Sequence, residues 1–160
     1  MTTAEKPFAK ARRELVDARI QFLSRLAKFS KQELTQTAPG EDWTPIQIAH
    51  HLYITDGLFL DGLKRVQQED NPLIALADEA QRQTEGADPP TSLDAVMAGM
   101  AARREALFEF LSQLPDESWE RPLQHKSRGQ LKFYQLVNYI PQHEQSHIEQ
   151  LTKIKAAMQS

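Results

Sequence analysis

Trp43-Thr44-Pro45-Ile46-Gln47-Ile48-Ala49-His50-His51-Leu52 carries a helix start that is legible residue by residue. Thr44 reads as the N-cap, Pro45 as the first helical residue and Gln47 as the N3 partner of a capping box, with Trp43 just outside at N′. Beyond that start Ile48, Leu52, Phe59, Leu63 and Val66 recur at helical spacing, until the polar run 67–71 ends the stripe. Upstream, Leu15, Phe22, Leu23, Leu26 and Phe29 predict a first helix over about 4–35, ahead of the turn-prone Ala38-Pro39-Gly40. Downstream, residues 69–91 have the weakest pattern: a short helix fits within 72–83, 86–90 reads as loop, and mobility is expected there. Thr91 or Ser92 caps a third helix to about Leu114, burying Leu93, Val96, Met100, Leu107, Phe110, Leu111 and Leu114, and Pro115 ends it. A polar connection follows, and Gly129 precedes a fourth helix over about 130–158 with Leu136, Tyr139, Ile140, Leu151 and Ile154 on its apolar side. Pro141 lies inside this last helix, where it deletes a backbone hydrogen bond and predicts a kink. Almost nothing alternates as a strand would. The expectation is an all-α four-helix bundle, one domain over 1–160.

Composition narrows the chemistry. The chain has no cysteine, so disulfides, thiolate metal sites and cysteine nucleophiles are excluded, and a transition metal must be held by nitrogen and oxygen. Nineteen Lys and Arg against 22 Asp and Glu give a net charge of −3, from which nucleic acid is not expected as a partner. The basic stretch 6–13 reads as a solvated helix face. No apolar run approaches the roughly 20 residues that cross a bilayer, and the N-terminus is too polar for a signal-peptide core, so no membrane partner and a cytoplasmic location are expected.

His143-Glu144-Gln145-Ser146-His147 places two histidines at i and i+4. With His143 at zero and about 100° per residue, Leu136 and Ile154 fall at about 20°, His147 at about 40°, Ile140 at about 60° and Leu151 at about 80°. Both histidines therefore lie within the apolar stripe. On the second helix, with His51 at zero, Ile48 falls at about 60°, Phe59 at about 80° and Leu58 at about −20°, so His51 points inward too. Three buried imidazoles each need a partner, because an unsatisfied buried polar group costs about 1–3 kcal/mol. One shared metal ion satisfies all three; the alternative is three ordinary core histidines bonded to backbone or water. His50 lies about 100° from His51 and reads as a rim residue, although the doublet leaves it as a second candidate. His125 falls in the polar connection and reads as a loop histidine.

The H-E-x-x-H pattern as written is that of zinc peptidases, with the glutamate as general base. The extended form puts glycine where Gln150 stands and a third ligand where Lys153 stands, and neither fits. Among the thirteen residues after His147, Glu149 is the sole carboxylate, too close to supply a ligand from a later helix. A peptidase is not expected.

Trp43 to Leu52 taken with His143-x-x-x-His147-x-x-Gln150-Leu151 resembles the DinB/YfiT-like superfamily of metalloenzymes. In that family a tryptophan and a small hydroxyl residue open the second helix, and a histidine followed by leucine eight positions after the tryptophan is a metal ligand, a place held here by His51. The paired histidines of the last helix correspond to His143 and His147. Glu149 stands where many members have glycine, and the doublet at 50 and 51 is a further departure. The resemblance implies a bundle with long crossover connections, often a homodimer, holding one divalent ion per chain, zinc, nickel or another, through His51, His143 and His147, with open positions for water or substrate. It also implies thiol-dependent transferases and isomerases that use low-molecular-weight thiols such as bacillithiol or mycothiol.

Three neutral imidazoles leave the charge of an ion uncompensated, so the expected activity is a metal-dependent thiol transferase or hydrolase acting on a small electrophilic molecule. Glu144 falls at about 100° on the helical map. It is the candidate catalytic residue, to shuttle a proton or orient a ligand histidine, or else a boundary glutamate paired with a neighbouring helix. Tyr139, at about −40° on the same map, reads as core or as a substrate contact. Two other readings stand beside these: a non-catalytic metal-binding stress-response dimer, and a metal-free interaction module using Trp119 or the exposed face of the first helix.

Overall fold

The computed structural model describes residues 5–159. Its four long helices are α1 (Pro7–Leu26), α2 (Pro45–Gln68), α4 (Leu93–Ser112) and α5 (Phe133–Gln159), and between them lie a short α3 (Ala77–Gly86) and three short strands. The four long helices form the bundle, with α1 packed chiefly on α5 and α2 on α4. No helix among the described residues is long and apolar enough to cross a membrane.

α2 begins as its sequence dictates. The Thr44 hydroxyl accepts from the Gln47 N–H at 3.2 Å, and the Gln47 side chain accepts from the Thr44 N–H at 2.8 Å. α4 is capped by Ser92, whose hydroxyl accepts from the Ala95 N–H at 3.2 Å. α1 is shorter than expected. It stops at Leu26 rather than near 35, and the start expected near residue 4 lies outside the described residues. Ser30 and Glu33 exchange reciprocal bonds, Ser30 N–H to Glu33 at 2.8 Å and Glu33 N–H to the Ser30 hydroxyl at 3.1 Å, opening a separate turn of 3₁₀ helix at Glu33–Thr35. This is a second S-x-x-E box, which the apolar spacing of Phe29 concealed; turning the chain there buries both Phe29 and Leu34.

The polar connection before α5 is structured. β2 (Pro122–His125) pairs antiparallel with β3 (Gly129–Lys132) and parallel with β1 (Leu73–Ile74), in the order β1-β2-β3. The hairpin turn closes on Gly129 at φ +78°, which glycine adopts without strain. Arg121 leads into β2 and donates to the carbonyls of Val66 (2.8 Å) and Glu69 (3.0 Å), satisfying the C-terminal end of α2. Trp119 is buried edge-on against Phe133, ring centroids 5.4 Å apart, and offers no docking surface. α5 starts at Phe133 and runs through Pro141 to Gln159.

The apolar core falls into two clusters. One gathers Leu15, Phe59, Leu107 and Ile140 with their neighbours, and the other Phe22, Leu52, Met100 and Ile148. On each long helix one charged residue sits between these two levels: Arg19, Asp56, Arg104 and Glu144. They form a buried layer in which Arg19 and Arg104 each bridge both carboxylates. Arg104 also donates to the Leu15 carbonyl at 3.2 Å.

Candidate metal centre

His51 on α2 and His143 and His147 on α5 converge, each offering one ring nitrogen such that all three lie within 4.8 Å of one another. Ring centroids of His51 stand 5.4 Å from His143 and 4.9 Å from His147. The rings are held by packing: Trp43 lies 4.9 Å from His51, and Phe59 lies 6.2 Å from His143. The N′ tryptophan of the capping box thus walls the site that its helix carries.

Hydrogen bonds decide which nitrogens face the centre. The Thr84 hydroxyl gives its proton to the Ala80 carbonyl (2.7 Å) and so accepts from His51 Nδ1 at 2.9 Å. Gln150 donates its amide N–H to Glu41 at 3.3 Å, leaving its oxygen to accept from His147 Nδ1 at 2.9 Å. Both rings therefore carry hydrogen on Nδ1 and keep a lone pair on Nε2, as a ligating histidine with an outer partner does. His143 Nε2 and His147 Nε2 are 3.2 Å apart. Two such lone pairs repel unless a proton or a cation lies between them, and tetrahedral nitrogens at about 2.0–2.1 Å from an ion are separated by about 3.3–3.4 Å. The donor set fits a divalent transition-metal ion.

Burial, with repulsion from the neighbouring rings, pushes His51 down to about 3. Burial and His147 push His143 down to about 4, while Glu144 opposes the shift. Burial also lowers His147, against the bond from Gln150. All three are neutral at physiological pH, so no proton has to leave before a lone pair is offered. The three imidazoles open into a cavity of about 260 Å³, with Trp43, Phe59, Leu136 and Tyr139 among its walls and His125 and Ser127 at its edge. Among the described residues no carboxylate joins the cluster. The Thr55 hydroxyl, 3.5 Å from His51 Nε2, gives its proton to the His51 carbonyl at 2.6 Å.

His50 turns away from this centre and stacks on Tyr53, 5.8 Å between centroids. Glu144 sits between the two ligand histidines in sequence but belongs to the charged layer: Arg19 Nε donates to one oxygen at 2.7 Å and Arg104 to the other at 2.7 Å. Burial alone would raise its pKa, but Arg104 and Arg19 outweigh it and hold the carboxyl below its usual range. Sequence reasoning missed Thr84, the Gln150–Glu41 relay and the cavity position of His125. Only Gln150, three residues after His147 on one helix, carried a signal in its spacing.

A family model described as the DinB superfamily matches residues 14–151. Uncharacterized protein YuaE of Bacillus subtilis is 26% identical over 151 residues, 87% of this chain and 93% of that protein. YfiT from Bacillus subtilis, described as a probable metal-dependent hydrolase with an unusual four-helix bundle topology, superposes with a TM-score of 0.80 at 17% identity, covering 99% of this chain and 91% of its own. A mycothiol-dependent maleylpyruvate isomerase gives 0.69 at 15% identity over 94% of this chain and 63% of its own. At these identities the structures share the fold.

One expectation is corrected by these likenesses. The net charge of −3 was the ground for excluding nucleic acid. The colibactin self-resistance protein ClbS, solved in complex with a dsDNA, has this fold at a TM-score of 0.72 and 9% identity over 97% of this chain and 98% of its own. The exclusion does not stand: net charge sums over a whole surface, whereas phosphate contacts depend on a local patch.

Proposed function

The chain belongs to the DinB superfamily, and on that footing we propose that it is a cytoplasmic metal-dependent thiol transferase or hydrolase acting on a small electrophilic molecule. His51, His143 and His147 would hold one zinc or nickel ion. The observation behind this is the convergence of three neutral imidazoles, two with Nδ1 already bonded to an outer partner, on a cavity of about 260 Å³. When bound, such an ion supplies an uncompensated positive charge that lowers the pKa of a coordinated thiol or water toward neutrality. The names carried by YfiT and by the mycothiol-dependent isomerase are in keeping with this chemistry, and a thiol cosubstrate suits a compartment that keeps thiols reduced.

The protein's own residues divide the work. Thr84 and Gln150 keep His51 and His147 in the tautomer that presents Nε2. Thr55, its own proton committed to a backbone carbonyl, presents a lone pair that accepts from an incoming S–H or O–H. Trp43, Phe59 and Tyr139 exclude water and pack on the apolar part of a substrate. Glu144 acts by position, tying α5 to α1 and α4 so that the histidines it separates stay in register.

Elemental analysis of protein purified without a histidine tag tests the site: about one metal per chain is expected in the wild type and none in His51→Ala. No bound metal under any condition refutes it. Turnover is tested with a panel of low-molecular-weight thiols and an aryl halide acceptor; a metal-free protein as fast as the loaded one overturns the metal-dependent mechanism.

A further inference from the structure

We propose that His125 is the residue that orients the substrate: its Nε2–H is a fixed hydrogen-bond donor for an oxygen acceptor, carbonyl or carboxylate, on a flat unsaturated or aromatic molecule lying in the cavity. This rests on taking the cavity as the substrate site. His125 ends β2, in register with Gly129 across the hairpin, and lines the same cavity as the three ligand histidines. The backbone N–H groups of Ser127 and Arg128 both approach His125 Nδ1 at 3.2 Å. A backbone amide can only donate, so Nδ1 keeps its lone pair and the single hydrogen of the neutral ring is on Nε2. Burial and the charge of Arg128 both favour the neutral ring. Among the described residues no protein acceptor takes the Nε2–H, and His125 is half-buried at the cavity's edge, so this donor is left for water or for an acceptor that arrives with the ligand.

The donor is also anchored beside the three-histidine centre. The guanidinium of Arg128 lies 4.2 Å over the Tyr139 ring, which clamps the hairpin turn onto α5. Tyr139 is 6.2 Å from the His125 ring on one side and 6.1 Å from the His143 ring on the other. Tyr139 thus stands beside both the donor and the imidazole cluster on one wall, and the cavity of about 260 Å³ that all of them line takes a small molecule whose oxygen meets His125 while its reactive carbon faces the centre. Trp43 and Phe59 supply flat apolar walls for its body. As negative charge develops on the acceptor oxygen the hydrogen bond strengthens, so the same contact that orients the molecule favours the transition state.

Histidine ¹⁵N spectra of the full chain, metal-free and zinc-titrated, test this with benzamide and benzoate as probes. The expected result is a His125 ring with Nε2 protonated and Nδ1 bare, an Nε2 resonance that moves on adding either probe to either form, and about tenfold or greater weakening of binding in His125→Phe. His125→Gln, which restores a side-chain N–H, should recover part of that loss. A response to benzoate alone assigns the acceptor as a carboxylate, and a response to both as any carbonyl oxygen. The proposal is overturned by an Nδ1-protonated ring, by equal affinity in wild type and His125→Phe, or by no response at the highest probe concentration. Failure of the metal site shows elsewhere, as zinc leaving the His51, His143 and His147 signals unmoved while His125 still responds.

Discussion

Replacing Glu144 by glutamine removes the negative charge that two arginines share inside the bundle. In the wild type its carboxylate accepts from Arg19 at 2.7 and 3.3 Å and from Arg104 at 2.7 Å, and Asp56 supplies the other carboxylate to the same two guanidinium groups. The side chain of Glu144 is 2% exposed and that of Arg104 is 6% exposed, so water cannot replace what is lost. In Glu144→Gln two buried cations face Asp56 alone, and removing one member of a buried ionic cluster costs about 3–5 kcal/mol because an uncompensated charge stays behind. For a chain of this size that lowers Tm by roughly 6–20 °C. Urea and thermal unfolding of metal-free protein, followed by far-UV circular dichroism, measure it. Asp116→Asn is the control, since its pair with Lys6 is exposed on both sides and exposed pairs contribute about 0–1 kcal/mol. Paired with Arg104→Met in a double-mutant cycle, Glu144→Gln should couple non-additively, by roughly 0.5–3 kcal/mol. A Glu144→Gln protein within about 1 kcal/mol of wild type would refute the idea of a coupled charged layer. A variant of wild-type stability and metal content that has lost turnover would instead place Glu144 in the chemistry.

Three further outcomes are expected. Thr84→Val takes the acceptor from His51 Nδ1 and should weaken metal binding about 10–100-fold, read by competition with a chromophoric chelator. Lowering the pH should destabilise the metal-free protein: an unfolded histidine takes up a proton near 6.5, whereas folded His51 and His143 resist until about 3 and 4. The unfolded chain therefore binds more protons in that window, and stability falls by about 1.4 kcal/mol per pH unit for each ring, a slope that His51→Phe should reduce in urea titrations. Thr44→Ala removes half of the α2 capping box and should cost about 1 kcal/mol in the same assay, with no loss beyond that in metal stoichiometry.

The start of α2 was legible because a capping box is local: Thr44 and Gln47 find each other three residues apart whatever the rest of the chain does. The inward direction of the three histidines was equally legible, since a helical map at about 100° per residue needs only the helix and its apolar stripe. The early end of α1 was also written locally, in Ser30 and Glu33, but an apolar pattern that fitted a longer helix masked it. β1 and β2 were not legible. Their two and four residues have no period long enough to read, and they exist as strands because Leu73 and Ile74 meet Gln124 and His125 in parallel register.

By itself the sequence determined that there are four long helices, where α2 and α4 begin and which faces carry the three histidines, because caps and periodicity act over a few residues. Tertiary structure decided what the inward-facing polar groups do. Glu144 meets Arg19 and Arg104 at sequence separations of 125 and 40, and His51 meets Thr84 at 33. No local pattern selects such partners; they are chosen by which helices pack together, and that choice turned the glutamate of an H-E-x-x-H motif into part of a buried ionic layer.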